Sequence, residues 1–203
     1  MRIVLFGATG MLGKAVEKEL SPRHKIVRVG RTRGDFQVDI AIRKSIASLY
    51  EQLGDVDAIV STVGDVHFGP LEEFTPEYFD VGIRSKLMGQ VNLVMLGLKH
   101  IRPGGSFTLT SGQLNDDPIR LGISGAMVNG ALEGFVRSAA VELPGGLRIN
   151  LVSPTVTEES MATYGPFFPG QKAVPAAEAA LGYAKSVEGI QTGRIYRIGW
   201  SRN

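Results

Sequence analysis

Three glycines at a spacing of three, Gly7, Gly10 and Gly13, follow the apolar run Ile3-Val4-Leu5-Phe6 and precede a helical pattern that begins at Met11. A tight strand-to-helix turn needs glycine, and a backbone without a Cβ lets a bulky anion come close. The helix start adds unpaired N–H groups and the positive end of its dipole, so a pyrophosphate is the ligand that suits such a turn. Thr9, Met11 and Leu12 belong to the same turn. The next strand pattern ends at Arg31, Thr32 and Arg33. A site for a bare ribose diol places Asp or Glu there, whereas a guanidinium pairs with a phosphate. The expected cofactor is therefore NADP(H) in preference to NAD(H), unless these arginines only coat a solvated turn.

Two further residues have types suited to chemistry. Ser111 follows the run Ser106–Thr110 and offers a hydroxyl at a strand end. Lys86 sits in a long helical pattern; a partly desolvated ammonium there could offset charge on a substrate oxygen or donate a proton, and the alternative is a solvated or subunit-facing lysine. His67 and Tyr164 are weaker candidates from loops. The chain has no cysteine, which removes disulfides, thiolate nucleophiles and thiolate metal sites together, and no metal site is expected.

These residues need a scaffold, and the pattern supplies one. Short β-branched runs at Ile3–Phe6, Lys25–Val29, Phe36–Val38, Ala58–Ser61, Ser106–Thr110, Arg148–Val152 and Arg194–Ile198 are mostly continuous and apolar, as in strands covered on both faces. Helical patterns intervene at Met11–Leu20, Ile42–Gln52, Pro76–Ile101, about Ser124–Leu143 and Pro175–Val187. Thr75-Pro76 reads as a capped helix start and Pro103-Gly104-Gly105 as a stop. Such alternation implies an α/β fold, a doubly wound, mainly parallel, seven-stranded Rossmann sheet in one domain over residues 1–203. Residues 155–174, with Pro166, Phe167, Phe168, Pro169 and Gly170, lack a period and suggest a lid with short helices.

Composition narrows the function classes. A formal charge of +2 without a basic stripe argues against nucleic acid. The N-terminal apolar run is broken at Gly7, and the stretch Leu87 to Ile101 is interrupted by Gln90, Asn92 and Lys99, so neither a secretion signal nor a membrane span is expected. A soluble, cytoplasmic protein is the expectation.

The order of motifs resembles the short-chain dehydrogenase/reductase family over nearly the whole chain. The glycine loop resembles the TGxxGxxG variant of its atypical and extended members. Val38-Asp39-Ile40 is similar to the segment whose acidic residue caps the adenine amino group, and Ser61-Thr62-Val63-Gly64 stands where the family has Asn-Asn-Ala-Gly. Phe74-Thr75-Pro76-Glu77 resembles the start of the family's fourth helix, and Ala131 to Ser138 the course of its fifth. Arg148 to Pro154 resembles the strand before the nicotinamide contacts, which places Pro154, Val156 and Thr157 at the cofactor, and Thr192 to Tyr196 resembles the start of the last strand. The resemblance implies a dimer or tetramer paired through the fourth and fifth helices, here the segments from Pro76 and from Ser124.

The family's chemistry rests on a Tyr-x-x-x-Lys pair on the fifth helix, a Ser at the preceding strand end and an Asn in the fourth helix. Ser111 matches the Ser. Gly125 falls at the Tyr position, Asn129 at the Lys position, and Lys86 where the Asn belongs. No Tyr lies between Phe79 and Tyr164, and no Lys between Lys99 and Lys172, so the pair is absent from this helix. Two readings follow. One is an oxidoreductase acting on a small carbonyl or hydroxyl compound by an altered proton path, with Ser111 and Lys86 at its centre. The other is a catalytically silent NADP(H)-binding sensor or scaffold. Gly125, Gly130 and Gly134 along the same segment further suggest that something packs closely there, the cofactor at its N-terminal end and a facing helix further on, unless the small residues serve only helix–sheet contact.

Overall fold

The computed structural model describes residues 1–201, so the last two residues of the expected domain lie outside it. The strands are β1 (Arg2–Phe6), β2 (Lys25–Gly30), β3 (Phe36–Gln37), β4 (Val56–Ser61), β5 (Ile101–Thr110), β6 (Arg148–Pro154) and β7 (Ile195–Ile198). They form one sheet in the order β3-β2-β1-β4-β5-β6-β7. Every described pairing is parallel.

Continuous apolar strands are explained by the two cores. Along β1, Val4 and Phe6 join the cluster on one face while Ile3 and Leu5 join the other, and all four are essentially inaccessible. The first face is covered by α2 (Arg43–Leu53), α4 (Gln90–Gly97) and α5 (Ile123–Glu142). The second is covered by α1 (Met11–Leu20) and α7 (Ala176–Glu188), through Val16, Leu20, Tyr183 and Val187. Burial of this kind contributes about 25 cal/mol per Å² of apolar surface. Strand order reverses between β1 and β4, whose C-terminal ends meet at the pair Phe6 and Ser61. In an open parallel sheet a ligand crevice forms at such a point.

The single helix expected over Pro76–Ile101 runs without a break from Pro76 to Gly97 but changes pitch within it. It starts with α3 (Pro76–Gly82), continues as a π-helical stretch Ile83–Gly89, and ends with α4 at Gly97. Thr75 does hold the N-cap position with Pro76 behind it, but its hydroxyl does not cap the backbone; it bonds the Glu77 carboxylate instead and lowers its pKa. The helix stops short of Pro103 because His100 N–H turns back to the Gly97 carbonyl and Ile101 already pairs with Val56. Pro103 and both glycines therefore lie within β5, opposite a register shift.

Residues 155–174 carry short helical turns, among them α6 (Met161–Tyr164), followed by a 3₁₀ turn at Gly165–Phe167. The Thr157–Val174 bridge closes the base of this segment. Among the described residues no helix is long and apolar enough to cross a membrane.

Candidate functional site

The turn after β1 has the geometry its glycines require. Gly7 adopts φ +84°, and its N–H bonds the Val29 carbonyl at 2.7 Å while its own carbonyl receives Gly10 N–H at 2.9 Å. A Cβ on Gly7 would come within 2.5 Å of both Thr62 and Val63, and one on Gly13 would strike the Gly7 carbonyl. The turn is thereby clamped between β1, β2 and the end of β4. Helix α1 begins with no side-chain cap at Gly10, so its first N–H groups have no protein acceptor there.

A cleft of about 530 Å³ opens over this turn. Its walls bring together Gly7, Thr9, Gly10, Met11, Leu12, Arg31, Asp39, Ile40, Thr62, Val63 and Gly64. Pro154, Val156 and Thr157 line the adjoining cavity instead, and three expected residues face neither. Gly13 is packed into the helix start, Thr32 points to solvent, and Ser61 is fully buried, its carbonyl accepting the Thr110 hydroxyl. Arg31 forms a 3.2 Å ion pair with Asp65, and both side chains are about two-thirds exposed at 68% and 65%. Asp65 was not evident in the sequence, since its role comes from the fold bringing Gly64-Asp65 across from Arg31. The Asp39 carboxylate accepts the Ala41 N–H at 2.9 Å.

A second cavity of about 270 Å³ adjoins the first and shares Met11, Leu12 and Tyr164 with it. Its lining includes Lys86, Ser111, Gln113, Asn129, Pro154, Val156 and Thr157. The Lys86 ammonium donates to the Ser111 carbonyl at 3.1 Å. Burial pushes its pKa down to about 8, since the charged form is desolvated. The carrier of Lys86 is the π-helical stretch, a geometry that recurs at functional sites. Gln90 fixes this stretch to the strand: its amide donates to the carbonyls of Lys86 and Thr110 at 3.0 and 2.8 Å and accepts the Thr110 N–H at 2.8 Å.

Three buried oxygens in this lining have no partner among the described residues, Ser111 Oγ, Gln113 Oε1 and Asn129 Oδ1. Asn129 spends its Nδ2 on the Gly112 carbonyl at 3.1 Å. Gly125, at the position of the family's Tyr, faces Leu114, which would meet a Cβ there at 3.1 Å. His67 lines neither cavity, because it stacks on Tyr78 with ring centroids 3.9 Å apart. Tyr164 lines both and packs beside Phe68. Of the glycines along α5, Gly130 has only the Asn115 Cβ within reach, at 3.7 Å, and Gly134 has nothing within 4 Å, so no close packing among the described residues explains them. Among the described residues no cluster of His, Asp and Glu could hold a metal ion.

A family model described as enoyl-(acyl carrier protein) reductase matches residues 2–192. The chain belongs to the short-chain dehydrogenase/reductase family. Versicolorin reductase 1 of Aspergillus parasiticus is 31% identical over 125 residues, which cover 60% of this chain and 47% of that protein. A hydroxynaphthalene reductase of Aspergillus fumigatus is 30% identical over 145 residues, 67% of this chain and 52% of that protein. This short-chain dehydrogenase/reductase thus spans about half the length of such curated relatives. Protein lin1944 from Listeria innocua, a solved structure, is 51% identical with a TM-score of 0.96, covering 97% of this chain and 98% of that one. A small-chain dehydrogenase solved in complex with NADPH shares the fold at 24% identity, with a TM-score of 0.87 and coverage of 97% and 95%.

Proposed function

We propose that this chain is an NADP(H)-dependent oxidoreductase acting on a small carbonyl or hydroxyl compound, with Lys86 supplying the cation that the family pattern places on α5. The observation that carries the reading is the Lys86 ammonium held 3.1 Å from the Ser111 carbonyl, in a cavity continuous with the nucleotide cleft. Two residues have in effect changed places. The family's Asn position holds Lys86, its Lys position holds Asn129, and both side chains line the same cavity.

The cleft fits a dinucleotide. At Gly7 a Cβ would close the turn against Thr62 and Val63, and the uncapped start of α1 suits a pyrophosphate. Gly7, Thr9, Gly10, Met11 and Leu12 would hold the diphosphate, and Arg31 the 2′-phosphate by charge and geometry. Asp39 and Ile40 would flank the adenine, with Thr62, Val63 and Gly64 along the far wall. Pro154, Val156 and Thr157 would border the nicotinamide, and Asn129 Oδ1 would accept a ribose hydroxyl. The bound nicotinamide supplies or accepts the hydride.

The chain's own groups then manage the oxygen. The Ser111 hydroxyl, without a protein partner, donates to the substrate carbonyl and orients it. The Lys86 ammonium stabilises negative charge developing on that oxygen and releases its proton to it, and solvent later restores the proton. Oxidation of the alcohol runs the same transfers in reverse, with neutral Lys86 taking the proton. Lid residues Tyr164 and Phe168 help exclude water from this end of the cavity.

NADPH oxidation against a panel of aldehydes, ketones and quinones tests the reading, with Lys86→Met alongside. Turnover that falls at least tenfold in the variant, with NADPH affinity kept, supports it. NADPH binding without turnover of any compound would leave the silent sensor or scaffold.

A further inference from the structure

We infer that the substrate is a ring compound carrying a hydroxyl group besides its reacting carbonyl, and that Gln113 reads this hydroxyl; this rests on the oxidoreductase reading above. Gln113 is 2% exposed, sits on the 3₁₀ turn Gln113–Asn115 and lines the second cavity. The hydrogen bonds around it fix which way its amide points. Asp117, an acceptor when ionised, receives Gln171 Nε2 at 3.0 Å. Gln171 must then present its oxygen to Gln113, and Gln113 answers with Nε2. Its other end, Oε1, is buried and has no partner among the described residues.

A buried acceptor without a partner is costly, so a donor is expected opposite it. Among the described residues the buried unpartnered oxygens of this cavity are Ser111 Oγ, which the reading above places on the reacting carbonyl, Asn129 Oδ1 and Gln113 Oε1. With Asn129 assigned to the ribose, Gln113 is left for the substrate. A carbonyl has no proton to give, and in the carbonyl or hydroxyl compounds proposed above the group that does is a second hydroxyl. The lining mixes polar groups with the rings of Phe68, Tyr164 and Phe168, which offer apolar surface suited to a ring. Recognition also reaches the lid, because Gln171 is part of it and holds Gln113 in place.

The test is calorimetric titration with cyclohexanone and with its 2-, 3- and 4-hydroxy derivatives, in the presence and absence of NADP⁺. At least one hydroxylated isomer is expected to bind tenfold or more tightly than cyclohexanone, since a site built around a hydroxyl rejects its deoxy analogue strongly. In Gln113→Met that preference should fall to about twofold or less, while cyclohexanone affinity holds and so reports an intact cavity. If Gln113→Met does not fold, Gln113→Asn, which retracts the acceptor, should show the same loss. Equal affinity for all four compounds, or a preference that survives in the variant, would overturn the inference. Loss of NADP⁺ binding is seen separately and would count against the functional reading itself.

Discussion

Lys86 and Ser111 are joined by a 3.1 Å hydrogen bond from ammonium to carbonyl, which ties a helical turn to the end of a strand. That carbonyl is the backbone of the same residue whose hydroxyl has no partner among the described residues. The cation and the unpartnered hydroxyl are therefore set in register by one residue, and Gln90 holds the two elements from behind.

Removing the cation should slow the chemistry without emptying the nucleotide cleft. Lys86→Met is expected to lower kcat by about 10²–10⁴-fold, the usual contribution of a placed acid. NADPH affinity, read by fluorescence titration, should stay within about twofold. The paired exchange Lys86→Asn with Asn129→Lys returns a cation to the opposite wall and should recover about tenfold over Lys86→Met.

Lys86 also links stability to pH. Its pKa in the folded chain is about 8, below the ordinary 10.5, so the fold disfavours the charged form. The cost is fully present below about pH 8 and fades as pH rises towards the unfolded value. Lys86→Met should therefore stabilise the protein at pH 7 by on the order of 1–2 kcal/mol. Denaturant melts should show that gain shrinking as the pH is raised towards 10.5.

Arg31 tests the cofactor choice. Arg31→Asp should weaken NADPH by about 10- to 100-fold, in line with the loss of a charge-assisted phosphate contact, and change NADH by about threefold at most. The Asp65 partner gives a second arm: Asp65→Asn removes the 3.2 Å ion pair and frees the guanidinium, so NADPH should bind up to a few times more tightly. Equal losses for both cofactors in Arg31→Asp would remove it as the phosphate reader.

Two helical glycines should respond in opposite directions to alanine. At Gly13 a Cβ meets the backbone of Gly7 and Ala8, which cannot step aside, so Gly13→Ala should destabilise by about 2–3 kcal/mol and weaken NADPH with it. At Gly134 nothing lies within 4 Å, so Gly134→Ala should stabilise by about 0.5–1 kcal/mol. Thermal melts read both. If α5 pairs two copies as the family pattern implies, a bulky Gly134→Leu should lower the oligomeric mass.

The glycine loop, Arg31, Asp39 and the Thr62–Gly64 wall were legible because each follows a strand directly, and a parallel sheet sends every strand end to the same edge. Lys86 and Ser111 were legible as positions but not as a pair, since their bond spans 25 residues of chain. Gln90 was noticed only as a polar break in an apolar stretch; the fold makes it the clamp on Lys86. The π-helical turn gave no sequence signal, because its period differs from that of a helix by a residue per turn and the apolar pattern is too dense to show it. Gln113 gave no sequence signal because its half-satisfied amide is defined by Gln171, which lies 58 residues away and is itself oriented by Asp117.

The most direct test of the account is the pH dependence of kcat/KM for ketone reduction at saturating NADPH, compared between the wild type and Lys86→Met. With Lys86 as the acid, the wild-type value should hold at lower pH and fall about tenfold per pH unit above a midpoint near 8, while the variant is low and flat across that range. A wild-type profile with no inflection there, or one that the variant retains, would contradict it.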